Sequence, residues 1–220
     1  MIFQAGRRTA KNGEKCTFRF ENLYKSFSRL YIHKFMDDKN MEFIGFAQGK
    51  PAEEDCKQKV QKFFLFTRFV RTNNFLCNKI AGFINTRLSN FIYRMGVKNE
   101  YGGVLRKGPN WLSITQQCMT YILSMEKEVL YEYKYSFCGD EIFIQSLVWN
   151  NPALRERLYC TSDEMDGCLR AIDWHRGAPY VWRIEDYETL IHSEKLFARK
   201  FDECHMDIVV KIRDSILYNR

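Results

Sequence analysis

The stretch "GDEIFIQSLVWNNP", residues 139–152, constrains this chain more than any other. Ile142, Phe143, Ile144, Leu147 and Val148 leave a helix there almost no polar face, so it has to be covered on most sides. Pro152 lacks the N–H needed to continue the ladder, which ends the helix just before it. A short helix of this kind belongs in the middle of a fold, and its covering layers must come from the rest of the chain. With 220 residues, 45% of them hydrophobic and 15% aromatic, the chain can supply them as one sizeable domain or two small ones. No window approaches ~18 uninterrupted apolar residues, so no membrane-spanning helix is expected.

Around that helix the patterns alternate between helix and strand. Residues 1–29 have little periodicity and read as a poorly defined lead-in. "LYIHKFMDDKN" predicts a short helix, "MEFIGFA" a strand, and "EEDCKQKVQKFFLFTRFVR" a helix running into aromatic-rich structure. In "NKIAGFINTRLSNFIYRMG" Ile80, Phe83, Ile84, Leu88, Phe91 and Ile92 fall at helical spacing, ended by Gly96. A turn-rich loop through Gly102, Gly103, Gly108 and Pro109 leads to a helix stripe of Ile114, Cys118, Tyr121, Ile122 and Met125. Beyond Pro152, "LRAIDW" reads as a strand, "HRGAP" as a turn, "EDYETLIHSEK" as a short helix and "LFARKF" as an extended connector. "HMDIVVKIRDSIL" is a last amphipathic helix through Ile208, Val209, Ile212 and Ile216. Strands separated by helices predict an α/β fold.

Several residues carry chemistry. Asp140 and Glu141 open the apolar helix, and two roles fit a carboxylate there. One is capping, with Asp140 as N-cap and Glu141 complementing the helix dipole. The other is general-base work by Glu141, whose place after the cap lets it project into a cleft. Arg176 sits in the "HRGAP" turn and Lys200 follows Arg199 in an extended stretch. Together they could neutralise a diphosphate leaving group; the plainer account is solvated surface charge. Trp111 is delivered by "KGPNWLSIT" to the start of a helix, either as a stacking face for a sugar ring or as a core anchor. The eight cysteines contain no Cys-x-x-Cys pair and read as reduced and structural. The histidines (His33, His175, His192, His205) show no metal spacing, and no Asp-x-Asp, P-loop or Gly-x-Gly-x-x-Gly pattern occurs. "DEMD" at 163–166 reads as a polar turn.

The net charge of +7 is concentrated between Lys57 and Lys107, where 11 Lys and Arg face one acid, Glu100. Phenylalanines and tyrosines are interleaved with those cations. Such a segment could meet phosphates on a nucleotide, a nucleic acid or a membrane surface. No nucleic-acid-binding motif accompanies it, so nucleic acid is not among the expected partners. A non-enzymatic membrane-surface or polyanion binder acting through 57–107 is the rival to any catalytic reading. The N-terminal "MIFQAGRRTAKNGEK" lacks a signal-peptide core, and the expected location is cytoplasmic or at a membrane periphery.

"KGPNWLSITQQCMTYIL", "GDEIFIQSLVWNNP", "LRAIDWHRGAP" and "EDYETLIHSEKLFARKFD" follow one another in the order seen in the Core-2/I-branching glycosyltransferases, which the chain resembles from about Gly103 to Asp202. That family includes β-1,6-N-acetylglucosaminyltransferases and peptide O-xylosyltransferases, and its animal members are Golgi membrane proteins. The resemblance implies an inverting transferase that uses a UDP-sugar, needs no metal ion or other cofactor, and has a GT-A-like mixed sheet flanked by helices. It starts after the family's N-terminal nucleotide-binding βαβ units, so residues 30–220 are expected to be the C-terminal part of a catalytic domain. Glu141 matches the family's catalytic base, and Arg176 and Lys200 match the cations that hold the donor diphosphate. Asp140 is then left to cap the helix.

Overall fold

The computed structural model describes residues 2–5, 34–36, 38–70 and 74–218. The strands in chain order are β1 (Ile2–Ala5), β2 (Phe43–Ile44), β3 (Leu112–Ser113), β4 (Arg170–Ile172) and β5 (Phe197–Phe201). The helices are α1 (Lys50–Gln61), α2 (Phe75–Arg94), α3 (Gln116–Ser124), α4 (Glu126–Glu132), α5 (Phe143–Asn150), α6 (Pro152–Arg155), α7 (Glu164–Gly167), α8 (Tyr187–Ile191) and α9 (Met206–Tyr218). The architecture is mixed α/β. It divides into two compact units, one of residues 41–168 and one of 1–40 with 169–220. The physical reason is that each builds its own apolar cluster around its own sheet.

In the 41–168 unit the central helix is α5, as its composition demands. Leu147 and Val148 join Ile44, Phe46, Cys118 and Ile122 in the core, and Gln145 and Ser146 are buried beside them. Ser146 Oγ accepts from Arg106 N at 3.0 Å, and Gln145 Nε2 donates to the Pro109 carbonyl at 3.0 Å, while the buried Gln145 Oε1 has no hydrogen-bond partner among the described residues. Asn151 caps the next helix by accepting from Leu154 N, and Pro152 occupies its first turn, where no N–H is needed. The strand read in "MEFIGFA" is short, pairing antiparallel with β3 (Phe43 with Ser113, Ile44 with Leu112). Just before it, Glu42 is completely buried and accepts from both Thr115 N (2.8 Å) and Thr115 Oγ1 (2.6 Å).

Helix α1 follows Gly49, carries Pro51 in its first turn, and buries Cys56 and Val60 against Ile142. Helix α2 forms where its period predicts and is followed by Gly96 at φ +83°. Its orientation is the reverse of an ordinary surface helix: Asn85 and Ser89 are buried while Ile80, Phe83, Ile84 and Phe91 are exposed. The inward side meets the 3-10 turn Thr67–Phe69, where Asn85 Oδ1 accepts from Phe66 N at 3.1 Å.

The other unit is built on a parallel three-stranded sheet in the order β1-β5-β4. "LFARKF", expected as a connector, is therefore the central strand, with Ala171 opposite Ala198 and Ile172 opposite Arg199. Strand β1 falls inside the stretch expected to be a lead-in, and the rest of residues 6–29 lies outside the described residues. Of the helix predicted over 30–40, residues 34–36 and 38–39 are helical and the remaining positions 30–33 and 37 lie outside the described residues. Trp182, Leu190, Ala198, Phe201, Ile208 and Ile212 form the core, with Ile216 packed at its edge, so α8 and α9 bury the faces their periods predict.

Candidate functional site

Glu141 ends a 3-10 turn, Gly139–Glu141, that stands ahead of α5 as a separate element. The turn is launched by Cys138 in the left-handed region (φ 51°). The Glu141 backbone is fixed at both ends: its N–H donates to the Cys138 carbonyl at 3.2 Å and its carbonyl accepts from Gly108 N at 3.0 Å. Gly108 has to be glycine for this approach, because a Cβ there would lie 2.0 Å from the Gly45 carbonyl oxygen. The carboxylate itself is 40% exposed. Lys59 Nζ and Lys107 Nζ lie 3.8 and 3.9 Å from its Oε2, too far for hydrogen bonds. Both ammonium groups instead bond Asp55 Oδ2, at 2.9 and 2.7 Å.

This cluster alternates charge. Burial pushes the Asp55 carboxyl up, but the hydrogen bonds from Lys107 and Lys59 outweigh it and hold it below the usual value. The Lys107 ammonium is held above its ordinary value by the Asp55 hydrogen bond, against the opposing effect of burial. Glu164, the first residue of α7, is pushed up by burial, with Lys107 opposing and Asp163 and Glu141 adding to the rise. The result is an exposed carboxylate with a fixed backbone, flanked by two cations whose own bonds go elsewhere. Such a group can accept a proton from a bound hydroxyl without first breaking a protein hydrogen bond.

Three expectations nearby need correction. Asp140 does not cap α5. It is the middle residue of the 3-10 turn, and its Oδ2 accepts from Asn110 Nδ2 at 2.9 Å. The residue flanking α5 is Ile142, whose side chain makes no cap bond, because the extra turn moves both acids away from the helix start. Trp111 is half-buried and leads into β3 rather than into a helix; α3 begins at Gln116, capped by Thr115. "DEMD", expected as a polar turn, forms the start of α7, with Asp163 accepting from Met165 N and Asp166 N.

In the other unit, Arg176 is held between two acids. Its Nε donates to Asp173 Oδ2 at 2.5 Å and its Nη1 to Asp186 Oδ1 at 2.7 Å. The guanidinium lies 4.0 Å from the Tyr180 ring centroid and 5.4 Å from that of Trp182. Two of its five N–H groups are thus committed, and the other three have no protein partner among the described residues. Lys200 lies on β5 beside the same stretch: its N–H donates to the Tyr180 carbonyl and its carbonyl accepts from Trp182 N. Among the described residues the Lys200 ammonium forms no ion pair. Arg176 and Lys200 are therefore attached to one short segment, Tyr180–Trp182.

Hydrogen bonds from the Arg176 side chain and backbone hold the Asp173 carboxyl down at about 2, against an ordinary 3.8. A carboxyl whose folded value is depressed stabilises the fold fully above its unfolded value and loses that contribution as pH falls through the folded one. Asp186 moves the same way, the Arg176 and Arg183 bonds outweighing its burial. Unfolding measured from pH 3.8 down to about 2 is expected to show stability falling, with a smaller slope in Asp173→Asn. Equal slopes in the two proteins would remove this anchor from the account of Arg176.

Sequence reasoning missed Asp55, Lys59, Lys107 and Glu164 as neighbours of Glu141. The only local signal was the Asp55–Lys59 pair, four apart on one helix face. The chain matches no family model, no curated protein and no solved structure.

Proposed function

We propose that this chain is an inverting glycosyltransferase of the Core-2/I-branching kind, GT-A-like in architecture, that moves N-acetylglucosamine or xylose from a UDP-sugar to an acceptor hydroxyl. The observation that carries the reading is the setting of Glu141, a part-exposed carboxylate on a fixed turn whose side chain makes no hydrogen bond among the described residues. In this reading Glu141 takes the proton of the acceptor hydroxyl as its oxygen bonds to the anomeric carbon. The bond from that carbon to the diphosphate oxygen breaks, and the electron pair leaves with UDP. Within their own unit, Arg176 is oriented by Asp173 and Asp186 and Lys200 is held on a strand, cations of the kind that can hold a diphosphate in place of a metal ion.

Titration of UDP into the purified chain tests the donor half of this reading. Binding is expected, and Lys200→Ala is expected to weaken it by roughly 10- to 100-fold, the value of one charge-assisted contact. Equal affinity in the variant would remove Lys200 from the site. A folded wild-type chain that does not bind UDP would overturn the function itself.

A further inference from the structure

Helix α2 turns small polar residues inward and large apolar ones outward. Leu76, Ile80, Phe83, Ile84 and Phe91 are each 45–67% exposed. They recur at intervals of three, four and seven, which puts them on one face of the helix, opposite Asn85 and Ser89. That face is also cationic. Lys79 Nζ lies 4.5 Å over the Phe75 ring and the Arg87 guanidinium 5.1 Å over Phe83, and Arg94 is exposed one turn beyond Phe91. From Lys57 to Lys98 the sequence has nine Lys and Arg and no Asp or Glu.

The geometry points to α2 as an interfacial docking helix that lays its outward face on an anionic lipid bilayer. Its aliphatic and aromatic side chains would enter the acyl boundary, and Lys79, Arg87 and Arg94 would meet the headgroup phosphates. Charge complementarity selects this occupant. A second copy of the chain, packed through the same face, would set cations against cations with no acid in the segment to neutralise them. A nucleic acid would satisfy the cations but leave Ile80, Ile84 and Leu76 uncovered, because base stacking uses ring faces. A bilayer interface takes both. No helix among the described residues is long and apolar enough to cross a membrane, so the helix lies along the surface. This inference does not rest on the catalytic reading.

Co-sedimentation of the full chain with phosphatidylcholine vesicles, with and without about one third phosphatidylserine, is the test. Binding is expected to the anionic vesicles, to fall with added salt, and to weaken at least roughly tenfold in Phe83→Ser/Phe91→Ser and in Arg87→Glu. These side chains are exposed, so circular dichroism and thermal unfolding of the variants should match wild type; Phe91→Ser alone serves if the double variant does not fold. Wild-type binding retained in all the variants, or no binding to anionic vesicles, would overturn the inference. So would self-association lost in Phe83→Ser/Phe91→Ser, which would make a second copy the occupant. Single-strand binding sensitive to Arg87→Glu but not to the Phe substitutions, with no vesicle binding, would assign the face to nucleic acid instead.

Discussion

Glu141→Gln is expected to slow sugar transfer by roughly 10²- to 10⁴-fold, the range a positioned general base supplies. UDP should bind the variant as it binds wild type. Glutamine keeps the size and shape of the side chain and removes its ability to take a proton. The substitution is also structurally quiet. The backbone stays held by Gly108 and Cys138, and the two lysines keep their shorter bonds to Asp55. An exposed side chain of this kind changes stability by only about 0.5 kcal/mol. A loss of rate therefore reads as a loss of chemistry rather than of fold. The measurement is turnover with UDP-N-acetylglucosamine and with UDP-xylose, beside calorimetric titration of UDP. Near-normal turnover would end the role of Glu141 as base. A parallel fall in rate and UDP affinity would move the side chain into the donor site.

What was legible in the sequence was mostly what is local. The apolar run after Glu141 dictated a buried helix, and α5 is one, ended where Asn151 and Pro152 end it. The stripe through Cys118 and Ile122 and the last helix through Ile208 and Ile212 followed from spacing alone. Strand β5 reads in the sequence only as an extended connector, with Arg199 and Lys200 on alternate faces. Its place in the middle of a sheet depends on β1 and β4, and β1 lies at the far end of the chain. Helix α2 shows the complementary limit. Period fixes which residues share a face, but not which face the rest of the fold covers. The capping role of Asp140 failed for a local reason: Cys138 and Gly139 insert a turn that propensity rules did not foresee. The site shows the same division. Arg176 and Lys200 could be singled out as types, whereas the meeting of Asp55, Lys59 and Lys107 around Glu141 exists only in three dimensions.

Glu42 is the other position where one substitution should have a large effect, and here the effect is on stability. Glu42→Ala is expected to destabilise the 41–168 unit by about 3 kcal/mol. The carboxylate is completely buried, and its two oxygens accept from the Thr115 backbone and hydroxyl. Its Oε1 also lies 3.6 Å from Arg157 Nη2. The Glu42 backbone adds bonds to the Arg157 carbonyl and from the Tyr159 N–H. Alanine would strip the part-buried Thr115 N–H of its acceptor and would remove the buried carboxylate that faces the Arg157 guanidinium. The damage should extend to α3, because Thr115 Oγ1 also accepts from Cys118 N at 3.2 Å as the helix N-cap. Glu42→Gln should cost less, about half as much, since its amide oxygen can still accept from Thr115. Thr115→Ala alone should cost about 1 kcal/mol, as the loss of a cap does. Because the two residues share their hydrogen bonds, the double variant should fall short of the sum. Urea unfolding of the four proteins measures all of this. Additive losses would mean that Glu42 and Thr115 act separately, and that the buried carboxylate serves Arg157 rather than the start of α3.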